Sequence, residues 1–428
     1  MYKPFGLLTL GSILALNIGT LTLATEIETP KQTLKPIDSI DTTDITNTSL
    51  LKIKPLERSK AFTLGFQFNM FAINIEDSNL IWGDLTRGGV RGSFDLGYSL
   101  DAKNSLHAGG YLTQQLQFTY PRFNASLNTQ GDLGLRLYYQ YMNRYSEDSH
   151  FRAVFGIFPR DIMKPFNMSI FWPPFYFFNP NVTGFLLDSG TKYGYTQFYL
   201  DWYGGNIAAG TASKERFRVG LNSHYEFFNK LLIFDAEGLY HHIHDRDYLR
   251  VGVSDNTFAA ANMPVANGPV DIAEQLYYRA SIGSDVGRYI GLDRAYLGVG
   301  YSGSMERFRP VIPKYVPRGG LELAWQLRYK WLGYNGTYYE GTGQLLSYDQ
   351  PGYRNALYQP IALFRADRLV VNDFYIVLKS SKYVTWRLDT VFEWWKGSFN
   401  QVVAALPGMN YTYHQLLNVR IDTRRFHF

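Results

Sequence analysis

The residues whose types and spacing suit chemistry lie in one run, Tyr240-His241-His242-Ile243-His244-Asp245-Arg246-Asp247, where imidazoles stand beside carboxylates. Such groups can bind a divalent metal, or take a proton from water and so activate it for hydrolysis. The spacing fits no metal-site motif, and the plain alternative is a solvated polar loop. Ser302 and Ser304 lie among glycines but lack the Gly-x-Ser-x-Gly order that exposes a nucleophile on a sharp turn. Asn124-Ala125-Ser126 matches a glycosylation acceptor and carries little weight. On these residues no catalytic group, metal or cofactor is expected, and the chain reads as no enzyme. It has no cysteine, so it uses neither disulfides nor thiolate-held metal. Its formal charge of +5 is too small to argue for nucleic acid.

The elements that would position such groups are strands. Phe62, Leu64, Phe66, Phe68 and Met70 alternate with Thr63, Gly65, Gln67 and Asn69, and Leu321, Leu323, Trp325 and Leu327 alternate with Glu322, Gln326 and Arg328. Successive strand side chains point to opposite faces, so each segment has one apolar and one polar face. With 33 Tyr, 30 Phe and 8 Trp but only 18% charged residues, the composition suits a wall whose apolar face meets lipid between aromatic girdles. Tyr141 and Trp331 fall at one set of strand ends and Trp202 and Trp394 at the other, as girdle residues should.

Residues 1–24 read as a secretory signal: Lys3 supplies a positive charge, Phe5 to Ile18 is apolar, and Thr22-Leu23-Ala24 offers small residues at the cleavage site. Residues 25–57 are rich in Thr, Asp, Glu, Lys and Pro, the composition of a flexible polar periplasmic leader. Beyond residue 24 no stretch approaches the ~20 apolar residues of a membrane helix, so residues 58–428 must cross any membrane as a closed barrel. Alternating short turns and long loops give about sixteen strands in an antiparallel up-and-down transmembrane β-barrel. Strands are expected at 292–303 and 318–331, with a long loop between them.

If the apolar residues face lipid, their alternates line the lumen: Arg91, Asp95, Arg136, Arg152, Arg218, Arg279, Arg294, Glu322, Gln326, Arg328, Arg387 and Asp389. Basic groups outnumber acidic ones here, which favours anions inside, unless the charges pair across strands and merely stiffen the wall. The loop carrying Phe166, Phe171, Trp172, Phe175 and Phe178 is too apolar to float in water. It either folds inward as a constriction or packs against the rim or a neighbouring subunit.

The signal segment, the alternating strands and the terminal Phe428 resemble Gram-negative outer-membrane β-barrels of the general porin type, over essentially the whole mature chain. The resemblance implies that Phe428 and Phe426 are read by the barrel-assembly machinery. Arg424 and Asp422 break the apolar register behind them, which calls for a bulge near Thr423. Phe155-Gly156-Ile157-Phe158-Pro159-Arg160, Asn179-Pro180-Asn181 and Tyr199-Leu200-Asp201-Trp202 also resemble uncharacterised barrels of Bacteroidota, with no function attached. The expectation is therefore a porin-like channel in the cell outer membrane, reached by export through the inner membrane and passing small hydrophilic solutes by diffusion. Its partners would be outer-membrane lipid, lipopolysaccharide and the solutes, with a homo-oligomer left open. The alternatives are an outer-membrane-embedded hydrolase using the His241–Asp247 run, and an adhesin or structural barrel with partner-binding loops.

Overall fold

The structure is a computed structural model describing residues 61–77, 85–118, 132–167, 177, 179–204, 215–244, 272–309, 312–342, 366–379, 384–396 and 410–427. The expected signal and leader lie outside these residues.

The first half of the wall is β1 (Phe62–Asp77), β2 (Leu85–Ser99), β3 (Asn104–Phe118), β4 (Asp132–Ser146), β5 (Ser149–Pro159), β6 (Asn181–Thr191), β7 (Gly194–Gly204) and β8 (Arg216–Phe227). The second is β9 (Leu232–His244), β10 (Ile272–Asp285), β11 (Arg294–Arg309), β12 (Ile312–Tyr329), β13 (Leu332–Gly341), β14 (Arg368–Lys379), β15 (Val384–Lys396) and β16 (Asn410–His427). Every strand pairs antiparallel with its sequence neighbours, and β1 pairs with β16 from Thr63 opposite His427 to Asp77 opposite Thr412, closing the barrel. Closure leaves no strand edge unpaired, which is what a strand in hydrocarbon requires. The bulge called for near Thr423 is present, since the register shifts between Leu64–Phe426 and Phe66–Thr423.

The outer face is apolar. Leu133 and Leu135 are each 73% exposed, and Leu112, Leu137, Val299, Leu321 and Leu388 also point outward, a surface for lipid rather than water. Trp202, Trp331 and Trp394 are exposed at strand ends, where girdle residues belong. Short connections such as 100–103, 147–148, 192–193 and 330–331 all lie at one end of the barrel, the end that outer-membrane barrels turn to the periplasm. In the 100–103 turn, Asp101 accepts the backbone N–H of Lys103 at 2.7 Å and of Asn104 at 2.8 Å. The bond from Lys103, followed by the Asn104 side chain, holds its carboxyl below the usual carboxylate range.

One connection differs from expectation. β11 runs on to Arg309 and β12 begins at Ile312, so the long loop expected between residues 304 and 317 is an extended hairpin. Pro313 and Pro317 argue against a strand in sequence, but β12 pairs with β13 only from Gly320 onward, so among the described residues both prolines sit where that side of the strand has no ladder to complete.

Because Val299 faces lipid near mid-wall, Val299→Arg should weaken assembly by about 2–4 kcal/mol, whereas Val299→Phe should not. Urea titration of the folded fraction in detergent micelles checks this, and equal effects of the two substitutions would contradict the facing.

Candidate functional site

The inward face holds the titratable side chains. β2 and β3 pair with Gly97 opposite His107 and Asp95 opposite Gly109. Ser105 and His107 lie two residues apart on β3 and so share the inward face. His107 leans diagonally, placing Nδ1 3.1 Å from Asp95 Oδ2, while Nε2 lies 3.0 Å from Ser105 Oγ. Tyr138 donates its hydroxyl to Asp95 Oδ1 at 3.0 Å, and its ring stacks on the imidazole with centroids 4.5 Å apart. All four side chains are buried.

The two glycines make room for this diagonal. A Cβ on Gly97 would stand 2.8 Å from His107 Cε1 and 2.5 Å from Thr63 Oγ1, and one on Gly109 would strike the Phe94 carbonyl. Thr63 lines the far side of Gly97, and its buried hydroxyl has no hydrogen-bond partner among the described residues. A serine hydroxyl on an imidazole whose other nitrogen is held by a carboxylate is the arrangement that generates a nucleophilic alkoxide.

The second inward feature is the connection between β5 and β6. Its described part, residues 160–167, 177 and 179–180, turns into the lumen, where Met163, Phe166 and Phe177 are buried. Arg160 is the clasp. It donates to the carbonyls of Asn179 and Asn181, each at 2.8 Å, and its guanidinium meets Asp201 Oδ2 at 2.5 Å. Both side chains are almost wholly buried, at 3% and 1% exposure.

From that clasp the segment reaches around the wall. Asn167 N–H donates to Glu237 at 3.1 Å, the carbonyls of Lys164 and Pro165 receive Asn222, and Phe166 meets Tyr199 edge-on. On the opposite side Arg91 donates to the Phe177 carbonyl at 2.7 Å, and Phe71 stacks on the Phe177 ring. Val154, Phe158, Val182 and Leu186, fully buried on the inward faces of β5 and β6, give this half of the lumen an apolar floor. Phe171, Trp172, Phe175 and Phe178 lie outside the described residues.

All twelve inferred lumen residues are on inward-facing positions, yet most are engaged. Arg152 pairs with Asp188 at 2.9 Å, Arg218 with Asp201 at 3.4 Å, Arg279 with Glu322 at 2.7 Å, and Arg387 with Asp389 at 2.5 Å. Arg136 donates to Asn181 Oδ1 at 2.8 Å, Arg91 holds Phe177, and Arg294 lies over the Tyr296 ring. Gln326 and Arg328 are half-buried, Arg328 donating to the Lys330 carbonyl. The His241–Asp247 run does not converge. His241 is buried inside the barrel, His242 is on the lipid face, and Asp245, Arg246 and Asp247 lie outside the described residues.

Ser105 and His107 were not expected as site residues. The signal was present in the period-two pattern, which puts Ser105, His107 and Gly109 on one face. The β2–β3 register that brings Asp95 to His107 was not.

Residues 53–243 match the family described as lipid A 3'-O-deacylase-type, a segment that spans β1 through most of β9 and contains Ser105, His107, Asp95 and the Arg160 clasp. That family is one of enzymes, so the expectation that the chain is no enzyme is corrected. No curated protein matches the chain. Among solved structures, in-vitro folded OmpT of Vibrio cholerae in its trimer form shares 10% identity over 85% of this chain and 100% of its own, at a TM-score of 0.45. Salmonella typhi OmpF in complex with daunomycin shares 12% over 84% and 97%, at 0.44. An anion-selective porin from Comamonas acidovorans shares 12% over 85% and 100%, at 0.42. Likenesses this remote decide nothing about this chain, and the barrel stands on its own hydrogen-bonded strand order.

Removing the Asp201 carboxylate leaves Arg160 and Arg218 without their shared anion, so Asp201→Ala should cost roughly 3–5 kcal/mol. It should also expose 160–167 to protease before the wall unfolds. Unchanged proteolysis with an unchanged urea midpoint would show that the clasp does not hold the segment.

Proposed function

We propose that the protein is an outer-membrane-embedded hydrolase that cleaves an O-acyl ester of a lipid, with Ser105 as nucleophile. The observation that carries this reading is the hydrogen-bonded series Ser105 Oγ, His107 Nε2, His107 Nδ1, Asp95 Oδ2. The match of the surrounding residues 53–243 to the lipid A 3'-O-deacylase-type family supports an acylated lipid of that class as substrate. The apolar outer face and the Phe5–Ile18 segment support export and residence in the outer membrane. The inward β5–β6 segment and the paired lumen charges weigh against free diffusion of solutes through this half of the barrel.

In the reaction Ser105 Oγ attacks the ester carbonyl carbon and its proton passes to His107 Nε2, while Asp95 holds the Nδ1–H and stabilises the imidazolium. The Nε2 proton then goes to the departing sugar alkoxide as the ester C–O bond breaks, leaving an acyl-Ser105. Water, deprotonated by His107, attacks that acyl group, and the proton returns to Ser105 as the fatty acid leaves. Thr63, whose buried hydroxyl faces His107 across Gly97 and has no partner among the described residues, is the candidate donor to the negatively charged oxygen of each tetrahedral intermediate.

The test gives the purified, detergent-folded barrel a short-chain p-nitrophenyl ester, which reads the chemistry irrespective of lipid access, and separately lipid A. Wild type should release acid from both, and Ser105→Ala should fall to the uncatalysed background. Asp95→Asn should lower kcat about 10⁴-fold, and Thr63→Val by about 10²–10³. Heat-dependent gel migration reports that each variant is folded. A folded Ser105→Ala barrel that hydrolyses at the wild-type rate overturns the assignment.

A further inference from the structure

The outer wall carries a charged group that the reaction above does not use. On β9, β10 and β11 the register sets His242 opposite Glu274 and Glu274 opposite Arg307. These positions share the face of Phe234, Ile282, Val299 and Tyr301, which is the lipid face. Glu274 is only 3% exposed because neighbours cover it. Arg307 and Arg309 both donate to its carboxylate, Tyr240 donates its hydroxyl at 3.1 Å, and His242 Nδ1 stands 4.0 Å away. Tyr315 lies beneath the Arg307 guanidinium at 4.5 Å. Beside the group, Trp202, Phe217 and His242 stack in a column across β7, β8 and β9.

Height explains why charge is tolerated on this face. From the periplasmic ends of β9, β10 and β11 each strand climbs about ten to thirteen residues to reach the group, which at about 3.3 Å per residue and a tilt near 40° is roughly 25–33 Å. An apolar band about 25 Å tall therefore ends just below it, and the group stands at headgroup level. Two guanidiniums offer about ten N–H donors to one carboxylate with about four acceptor positions, one of them taken by Tyr240. With two arginines against one glutamate the group keeps a net positive charge, and the Arg309 and Arg307 side chains are 43% and 24% exposed on this face. Glu274 fixes the arginines two residues apart on one strand, a rigid fork that matches phosphate oxygens bidentately.

We propose that Arg307 and Arg309, braced by Glu274, form a binding site for the phosphate of a lipid headgroup in the outer leaflet. The site lies beyond the family-matched segment and does not depend on Ser105.

The probe is a dialkyl-ether phosphatidic acid, which has no ester to hydrolyse, so its binding is read independently of any deacylase activity. The barrel is held in phosphatidylcholine nanodiscs doped with this lipid, and retained lipid is counted by native mass spectrometry. Wild type should enrich the phosphate lipid over phosphatidylcholine, and Arg307→Gln with Arg309→Gln should reduce that enrichment at least tenfold. Because the double variant leaves Glu274 unpaired, a triple variant adding Glu274→Gln removes every charge together and should lose binding equally while folding. Glu274→Gln alone should keep the phosphate preference, which a merely structural ion pair would not predict. Arg288→Gln, on the periplasmic turn, should change nothing. Enrichment by the triple variant equal to wild type overturns the site, and displacement of the lipid by equimolar inorganic phosphate overturns the headgroup as its ligand.

Discussion

The structure rests on one constraint, that a strand facing hydrocarbon finds no water for its N–H and C=O groups. Only the pairing of β1 with β16 removes the last two edges, and the bulge between Thr423 and Phe426 is where the final strand adjusts its phase to make that seam. Once the ladder is closed, every alternate residue is committed to lipid or lumen. A leucine such as Leu135 can then be 73% exposed at no cost, while arginines such as Arg152 and Arg279 are buried.

Burying so many charges inside the barrel needs compensation, and the lumen provides it by pairing. Arg160 and Asp201 form the deepest of these pairs, and they do more than neutralise one another. By also binding the carbonyls of Asn179 and Asn181, Arg160 turns the chain leaving β5 back into the barrel, where Phe166 and Phe177 find apolar walls. An exposed apolar loop and a polar lumen are each unfavourable alone, and this arrangement resolves both.

The Ser105 site and the Glu274 site show how one wall presents chemistry in two solvents. At Ser105 the groups are held by neighbouring strands with glycine opposite each long side chain, so that Asp95 and His107 can cross the ladder diagonally. At Glu274 the groups face lipid, and charge is affordable only because the strands have risen to the headgroup level.

The sequence by itself determined the alternation, and with it the barrel, the sixteen strands, the inward position of residues such as Arg91 and Arg279, and the bulge near Thr423, because a period of two is a local property. It also contained Phe155–Arg160, Asn179–Asn181 and Tyr199–Trp202 as separate runs. Only the tertiary structure decided that they are one object, since Arg160, at the end of β5, finds Asp201 on β7 across the intervening β6. The same holds for Asp95 with His107, and for Glu274 with Arg307. Parity tells which face a residue takes, but register between strands sets which residues meet on that face, and register is fixed by ladder pairing over the whole wall. For the same reason the extended hairpin of β11 and β12 was hidden. Pro313 and Pro317 break a strand in general, and they are harmless here because, among the described residues, β13 pairs with β12 only from Gly320 onward.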